Sequence, residues 1–523
     1  MAATAGSRLV KIGHWLKHFL VYGSGVILMN VVPFALIPIY THAVAPHEYG
    51  VLELLNRSQE LLLLLVSLGL RSTLLTFYQM EKGSPERQRK LYSTALLFLT
   101  GSSLLMLLGA AFFARAGSDL LFGSPTYTQA VLLILAATYF ESLFQTAALY
   151  LQSELKSSLY VTVFASRAVF SVLVNVVLVS WMGWGLYGIL WATVIQTVIS
   201  TLLLLVYIFS KTGFAFDLAL TKDMMRFGLP LVPGAFAMFA LNNGDRYFLN
   251  IYTTPADVGI YGLGYRLGMI TMSLVLMPFG KIWSATMVDI SREADGPVRL
   301  GRIATYLLAA CAFSTLGVSL FTPFVLRLLT TPAYWSAYMV VPIIGAAYIF
   351  YSWTVIIDAS FYITKKTGYK SLILGLSCLV ILPLYAILIQ RYGTMGAAWA
   401  TLGGFAAFAG ISAYFGQRVY RIHYEVKRIG MVVAVAAALY LGASLVPPTD
   451  WITSIAVRTL ACLAYPAILW VFFATRGEKE SLLQLLGSLK RRLGMEPAPP
   501  PAAAEWPEAA ISPVPRNDNE AGR

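Results

Sequence analysis

Two arginines stand in long apolar stretches, where charge is costly: Arg57 in PHEYGVLELLNRSQ and Arg266 in PADVGIYGLGYRLG. An ionised side chain at membrane depth persists only where it faces protein or a wet cavity. Each arginine follows the glycine of a Pro-x-x-x-Gly turn by seven residues, and the two turns are about 209 residues apart. With a rise of about 1.5 Å per residue, each lies about 10 Å in from one membrane surface. Facing each other across a cleft, two forked guanidiniums could grip a phosphate or diphosphate through charge-assisted hydrogen bonds. Glu53 and Glu60, four and three residues from Arg57 on one helical face, could neutralise it instead. Arg266 has no carboxylate within a turn on its own helix. Arg246, beside Asp245 near the end of a span, is a third candidate for lining the cleft, with a snorkelling helix-end pair as the alternative. Arg71, Glu141, Arg167 and Asp358 occur singly in other spans. Pairing, for example of Glu141 with Arg167, is the structural reading of these. The functional one is a protonatable Glu141 or Asp358 that couples a cycle to a proton or sodium gradient.

The elements that must position these charges follow from composition. A 523-residue chain that is 58% hydrophobic and 12% charged cannot wrap its apolar surface inside a soluble globule. Fourteen stretches reach the roughly 20 residues a membrane helix needs: 19–40, 50–78, 91–114, 128–150, 159–181, 185–209, 224–250, 258–280, 303–326, 336–362, 371–390, 394–417, 429–446 and 452–474. Two further anchors keep nearly the offset of the arginines. Pro125-Thr126-Tyr127 answers Pro332-Ala333-Tyr334, and Tyr187 to Thr193 answers Met395 to Thr401. The expectation is an all-α polytopic membrane protein with two six-helix lobes, 18–210 and 222–420, and two C-terminal helices over 428–474. Six helices per half send the second half in from the same side, so the repeats are parallel, a usual build of transporters.

Lysine and arginine crowd one set of loops, from Arg8 and Lys11 through Arg87 and Arg89 to Arg418 and Arg421, while the opposite loops hold only Arg115, Arg327 and Arg391. The positive-inside rule then places both termini in the cytoplasm. Topology accounts for the net charge of +13, and no nucleic-acid partner is invoked. Cys311, Cys378 and Cys462 lie in apolar spans without a CxxC or a histidine neighbour, which gives no metal or disulfide framework. His14, His18, His42, His47 and His423 fall at membrane edges or in loops. No GxxxxGK[ST] phosphate loop is present, and no connecting loop exceeds about 20 residues, too short for a soluble catalytic domain. The reading is of a non-enzyme without cofactor or metal.

Pro33 and Pro38 in the first span, with Pro230 and Pro233 in the seventh, should kink those helices and are candidate hinges. Residues 1–17 and 478–494 place basic residues between apolar ones at helical spacing, the pattern of helices lying on anionic membrane lipids. The tail 495–523, rich in Pro and Ala, reads as disordered.

The stretch from Phe227 to Gly268, with its Gly-Leu-Pro-x-x-Pro, Asp-Arg-Tyr-x-Leu and Val-Gly-Ile-Tyr elements, resembles bacterial polysaccharide exporters, the oligosaccharide repeat-unit flippases. Their superfamily also holds drug/sodium antiporters and murein precursor flippases. The Pro-His-Glu-Tyr-Gly turn resembles the N-terminal counterpart, and the likeness covers about residues 18–474. It implies a V-shaped pair of lobes in the bacterial cytoplasmic (inner) membrane. By alternating access these would move an undecaprenyl-diphosphate-linked oligosaccharide to the outer leaflet, for capsule, O-antigen or exopolysaccharide synthesis. It also implies cationic residues of the second and eighth spans facing the cavity, which match Arg57 and Arg266. A polysaccharide polymerase or a chain-length regulator would be partners through the pathway alone. The alternatives are a drug or metabolite antiporter using Glu53 and Glu60, and a membrane-embedded glycosyl or phosphoryl transferase.

Overall fold

The computed structural model describes residues 34–446, apart from 82 and 155, and residues 451–473. The surface helix expected over 1–17, Pro33, most of the first span, the stretch 478–494 and the tail 495–523 lie outside the described residues. Among the described residues every regular element is helical. The first half runs through α1 (Phe34–Ala43), α2 (Pro46–Ser67), α3 (Leu70–Met80), α4 (Pro85–Phe112), α5 (Ala114–Phe122), α6 (Thr128–Ser153), α7 (Ser157–Asn175) and α8 (Gly185–Thr212). The second comprises α9 (Leu218–Gly228), α10 (Val232–Tyr252), α11 (Pro255–Gly268), α12 (Met277–Ser291), α13 (Gly296–Leu329), α14 (Val341–Ile363), α15 (Gly368–Leu384) and α16 (Gln390–Val419). The helices α17 (Val426–Ser444) and α18 (Trp451–Ile468) follow.

Eleven of these helical stretches are long and apolar enough to cross a membrane, or twelve if the bent pair α2 and α3 counts as one span. The expected fourteen shrink for two reasons. The first is described only as α1, and the eleventh and twelfth run together as Gly368–Val419. That stretch is far too long for a single crossing of about 30 Å. It turns back at Gly393, whose φ of 53° and ψ of −130° favour glycine. Beyond the turn Gly404 packs on Ile381 and Gly396 on Leu388, the pairing of a hairpin.

Among the described residues, the one helix pair bent by more than 40° at a short break has no proline at the bend. Leu68 (φ 49°) and Gly69 (φ 74°) are both left-handed, and α3 leaves α2 at 44°. Of the proline candidates, Pro38 sits within α1, Pro230 lies in a single 3-10 turn between α9 and α10, and Pro233 opens α10. Proline at a helix start needs no hydrogen-bond donor, so it is accommodated there at little cost.

Two hydrophobic cores form in the compact unit Met1–Tyr465, one mainly from α1–α8 around Tyr92, Phe144 and Leu151, the other from α10–α16 around Tyr261, Phe361 and Phe405. Each core with the helices around it is here called a lobe. A second unit begins at Pro466, and its described residues end in the π-helical turn Leu469–Phe473.

The duplication reaches the irregular features. Val176–Trp181 and Tyr385–Ile389 are π-helical at equivalent places, and each is followed by a glycine, Gly188 or Gly396, lying against the carbonyl of Leu178 or Leu388. The lobes meet through the paired Pro-x-x-x-Gly turns, reciprocally. A Cβ on Gly50 would stand 1.6 Å from the Pro255 carbonyl oxygen, and one on Gly259 would stand 2.3 Å from that of Pro46. Tyr334 adds a hydrogen bond to the Val44 carbonyl at 2.8 Å. At the far end of α2 the lobes touch again, where Gly69 and Gly228 are in backbone contact and Phe77 meets Phe227 edge to face at 5.9 Å.

Candidate functional site at the junction of the lobes

Pro46 and Pro255 each occupy the first turn of a helix. At Pro255 a capping box closes the helix end, with Asp257 N–H donating to Thr254 Oγ1 at 3.3 Å and Thr254 N–H to Asp257 Oδ2 at 3.2 Å. These starts set the register of α2 against α11. One turn in from the Gly50–Gly259 contact, Glu53 projects from α2 into the second lobe. Gly262 makes the room, since a Cβ there would lie 2.7 Å from Glu53 Cγ.

Glu53 is buried, and three arginines converge on it. Its Oε1 lies 3.1 Å from Arg57 Nε and 3.7 Å from Arg246 Nε, and its Oε2 lies 3.5 Å from Arg266 Nη2. Arg57 also pairs with Glu60 at 2.7 Å and donates to Asn243 Oδ1 at 3.3 Å. Arg246 is held by Asp245 at 2.8 Å and the Asn242 carbonyl at 3.0 Å, and its guanidinium stacks 3.7 Å over the Tyr265 ring. Asp245 in turn accepts from Tyr261 at 2.5 Å and from Thr401 at 3.2 Å. Each buried charge thus has an opposite charge and at least one hydrogen bond, although the Nε–H groups of Arg57 and Arg246 meet Glu53 by charge alone and donate no hydrogen bond among the described residues.

Three arginines face Glu53, Glu60 and Asp245, so the cluster is formally neutral. This differs from an open cleft with two bare guanidiniums. Arg57 and Arg266 are brought together, with the carboxylate of Glu53 between them. Arg266 finds on the other lobe the partner its own helix lacks. Arg246, with 2% of its surface exposed, does not snorkel at a helix end.

Beyond Glu60 a cavity of about 520 Å³ opens between the lobes, lined by Glu60, Arg71, Ser72 and Gln145 of the first and by Val232 and Ala235 of the second. Arg71 forms no ion pair or hydrogen bond among the described residues. The remaining charged candidates lie elsewhere. Glu141 and Arg167 are ion-paired inside the first lobe, with Arg167 4.0 Å over the Phe144 ring. Asp358 pairs with Lys370 at 2.8 Å at the far end of α14. Among the described residues no group of histidine, cysteine and carboxylate side chains could hold a metal ion.

Sequence reasoning gave no site role to Gly262, Asn243, Tyr261 or Thr401, although Tyr261 and Thr401 lie in the motif and the repeat anchor it used. The repeat offset carried one signal: Gly262 is the position equivalent to Glu53, as Gly259 is to Gly50 and Arg266 to Arg57.

Two repeated lobes of membrane helices that meet over buried charges, with a cavity between them, define a multi-span membrane transporter fold. Solved structures share it. MurJ, described as a lipid II flippase in an inward closed conformation, superposes with a TM-score of 0.69 at 15% identity, covering 87% of this chain and 99% of its own. An inward-facing multidrug resistance MATE transporter of the MOP superfamily gives 0.61 at 14% identity, covering 79% and 98%. The Vibrio cholerae MATE transporter VcmN, solved as a point mutant, gives 0.57 at 15% identity, covering 80% and 98%. The protein has the fold of the MOP superfamily. Its sequence matches the polysaccharide biosynthesis protein family over residues 15–287, just over half of the chain, and it belongs to that family. No curated protein matches it significantly.

Proposed function

We propose that this protein is a flippase moving an undecaprenyl-diphosphate-linked oligosaccharide from the inner to the outer leaflet of the bacterial cytoplasmic membrane by alternating access, with both termini in the cytoplasm. The observation that carries the reading is the division of charge at the lobe junction. Glu53, Arg57 and Glu60 belong to the first lobe and sum to one negative charge, while Asp245, Arg246 and Arg266 belong to the second and sum to one positive charge. When the lobes part, Arg266 loses the one carboxylate it pairs with among the described residues and faces the opening, and Arg71 already stands in the cavity. An incoming diphosphate then replaces Glu53 as the partner of the arginine, and closure on the other side returns Glu53 and releases the head group. The sugar and diphosphate stay in a wet protein interior while the polyprenyl tail stays in lipid. Membership of the polysaccharide biosynthesis family and the fold shared with a lipid II flippase support the substrate class.

The test is replacement of both Arg57 and Arg266 by glutamine. Surface glycan should be lost while the protein still inserts, and the lipid-linked oligosaccharide should accumulate on the inner face, read by mass spectrometry of lipid extracts and an impermeant probe. Normal glycan export from the double variant would refute the reading. The second reading, an antiporter of organic cations, draws on Glu60, whose carboxylate lines the cavity and is half exposed. It predicts drug sensitivity in a deletion strain with an unchanged lipid-linked pool.

A further inference from the structure

Between α13, α17 and α18 a second arginine-centred site is buried among apolar helices. Arg458 of α18 is 5% exposed, seven residues inside the helix start. One Nη donates to the Leu320 carbonyl of α13 at 2.9 Å, and the guanidinium lies 4.9 Å from the Phe324 ring. Its Nε is buried with no acceptor, and no carboxylate pairs with it among the described residues. One turn earlier on the same face, the hydroxyl of Ser454 is fully buried and equally without a partner. Tyr440 on α17 is half-buried and Tyr338 in the turn Pro332–Met339 is 38% exposed; both lie in the electrostatic field of the guanidinium, and neither hydroxyl makes a hydrogen bond among the described residues. Arg327, at the end of α13, is a second positive charge in the same field.

An arginine at this depth demands a counter-charge, and orphaned donors buried together cost free energy unless something accepts from them. The buried Arg458 Nε–H and Ser454 hydroxyl, with the more accessible Tyr440 and Tyr338 hydroxyls in the same field, are donors suited to one compact oxyanion. The helices end where lipid head groups lie. At the adjoining ends of α17 and α18, Leu445 and Ile452 expose apolar surface to acyl chains. We infer that Arg458, Ser454, Tyr440 and Tyr338 bind the phosphate of a membrane lipid at the end of α13, α17 and α18. The site shares no residue with the cluster around Glu53, and the inference holds whatever the protein transports.

The experiment is native mass spectrometry of the full chain, stripped of lipid in mild detergent and titrated in separate arms with phosphatidylglycerol, a polyprenyl diphosphate and inorganic phosphate. The wild type should bind one phosphatidylglycerol. Arg458→Gln should weaken this by about tenfold or more, the loss of one charge-assisted hydrogen bond. Arg458→Lys and Tyr440→Phe, which keep charge and packing respectively, should weaken it less, and added lipid should raise the melting temperature of the wild type more than that of either. Tighter binding of the polyprenyl diphosphate, lost in the same variants, would make the carrier lipid the source of the phosphate. Inorganic phosphate binding with the same variant dependence would place the source in water. Equal phosphatidylglycerol binding by the wild type, Arg458→Lys and Tyr440→Phe would overturn the site even if Arg458→Gln failed to fold.

Discussion

Glu53 and Gly262 are the same position of a duplicated unit, and they pack against each other across the lobe junction. The carboxylate on one side fills the space that the missing side chain leaves on the other. Arg57 and Arg266, also equivalent, approach its two oxygens from opposite lobes at 3.1 and 3.5 Å. A single acid therefore holds both halves at the point where they are most alike.

Replacing Glu53 by glutamine leaves three arginines around a neutral amide. Removing one partner from a buried ionic cluster costs about 3–5 kcal/mol, and here the cost falls on the joined state of the lobes. Spin labels at His47 and Thr254, on exposed turns of the two halves, should report a longer and broader distance in Glu53→Gln than in the wild type. An unchanged distance distribution would show that the glycine contact alone holds the lobes.

Gly50→Val tests that contact independently. The added Cβ would fall 1.6 Å from the Pro255 carbonyl oxygen, and backbone cannot yield as a flexible side chain can. The two lobes should part at this end with each lobe core intact, and on the proposed flippase function glycan export should fall by at least tenfold, the effect of about 1.4 kcal/mol. The same pair of labels should again separate. Export at the wild-type level would refute the close approach.

Within the first lobe, Glu141 and Arg167 are expected to serve stability. Glu141→Gln should lower the melting temperature, by an amount corresponding to about 3–5 kcal/mol, while Glu141→Gln with Arg167→Met should recover part of the loss. A double variant as unstable as the sum of the two singles would mean the residues act independently. Loss of transport in a double variant of restored stability would instead give Glu141 a direct role.

At the membrane surface Asp217 caps α9, accepting from the Ala219 and Leu220 amides at 2.9 and 3.2 Å and pairing with Lys90 at 2.7 Å. The Lys90 ammonium first, and these amides with it, hold its carboxyl below the usual carboxylate range. A depressed folded-state pKa gives stability that is present above the unfolded value and is lost as pH falls through the folded one. Asp217→Ala should therefore melt below the wild type at neutral pH, and the difference should vanish in strong acid. A pH-independent difference would assign the effect to packing.

The membrane class, the duplication and the two repeated arginines were legible because each leaves a one-dimensional trace: long apolar runs, a fixed offset, a charge where hydrocarbon belongs. Packing across the offset was not. Glu53 looked like a neighbour of Arg57 because both lie on one helix. Its service to Arg266 and Arg246 depends on how α2 and α11 abut, which only the paired glycines hinted at. The bend at Leu68 and Gly69 eluded a search for prolines because it arises from left-handed backbone. The chain reversal at Gly393, by contrast, falls in the gap that the sequence leaves between the apolar stretches 371–390 and 394–417.

The reciprocal seating of Gly50 on Pro255 and of Gly259 on Pro46 is what an isologous dimer interface looks like, one patch meeting its own copy about a two-fold axis. Two identical chains could make that contact. They could not place one glutamate opposite one glycine, because each copy would bring the acid, and two carboxylates would collide in a space that holds one. Joining the halves in a single polypeptide freed the positions on the axis to differ. An uneven charge at the centre of an otherwise even interface is a property open to a fused ancestor and closed to a homodimer.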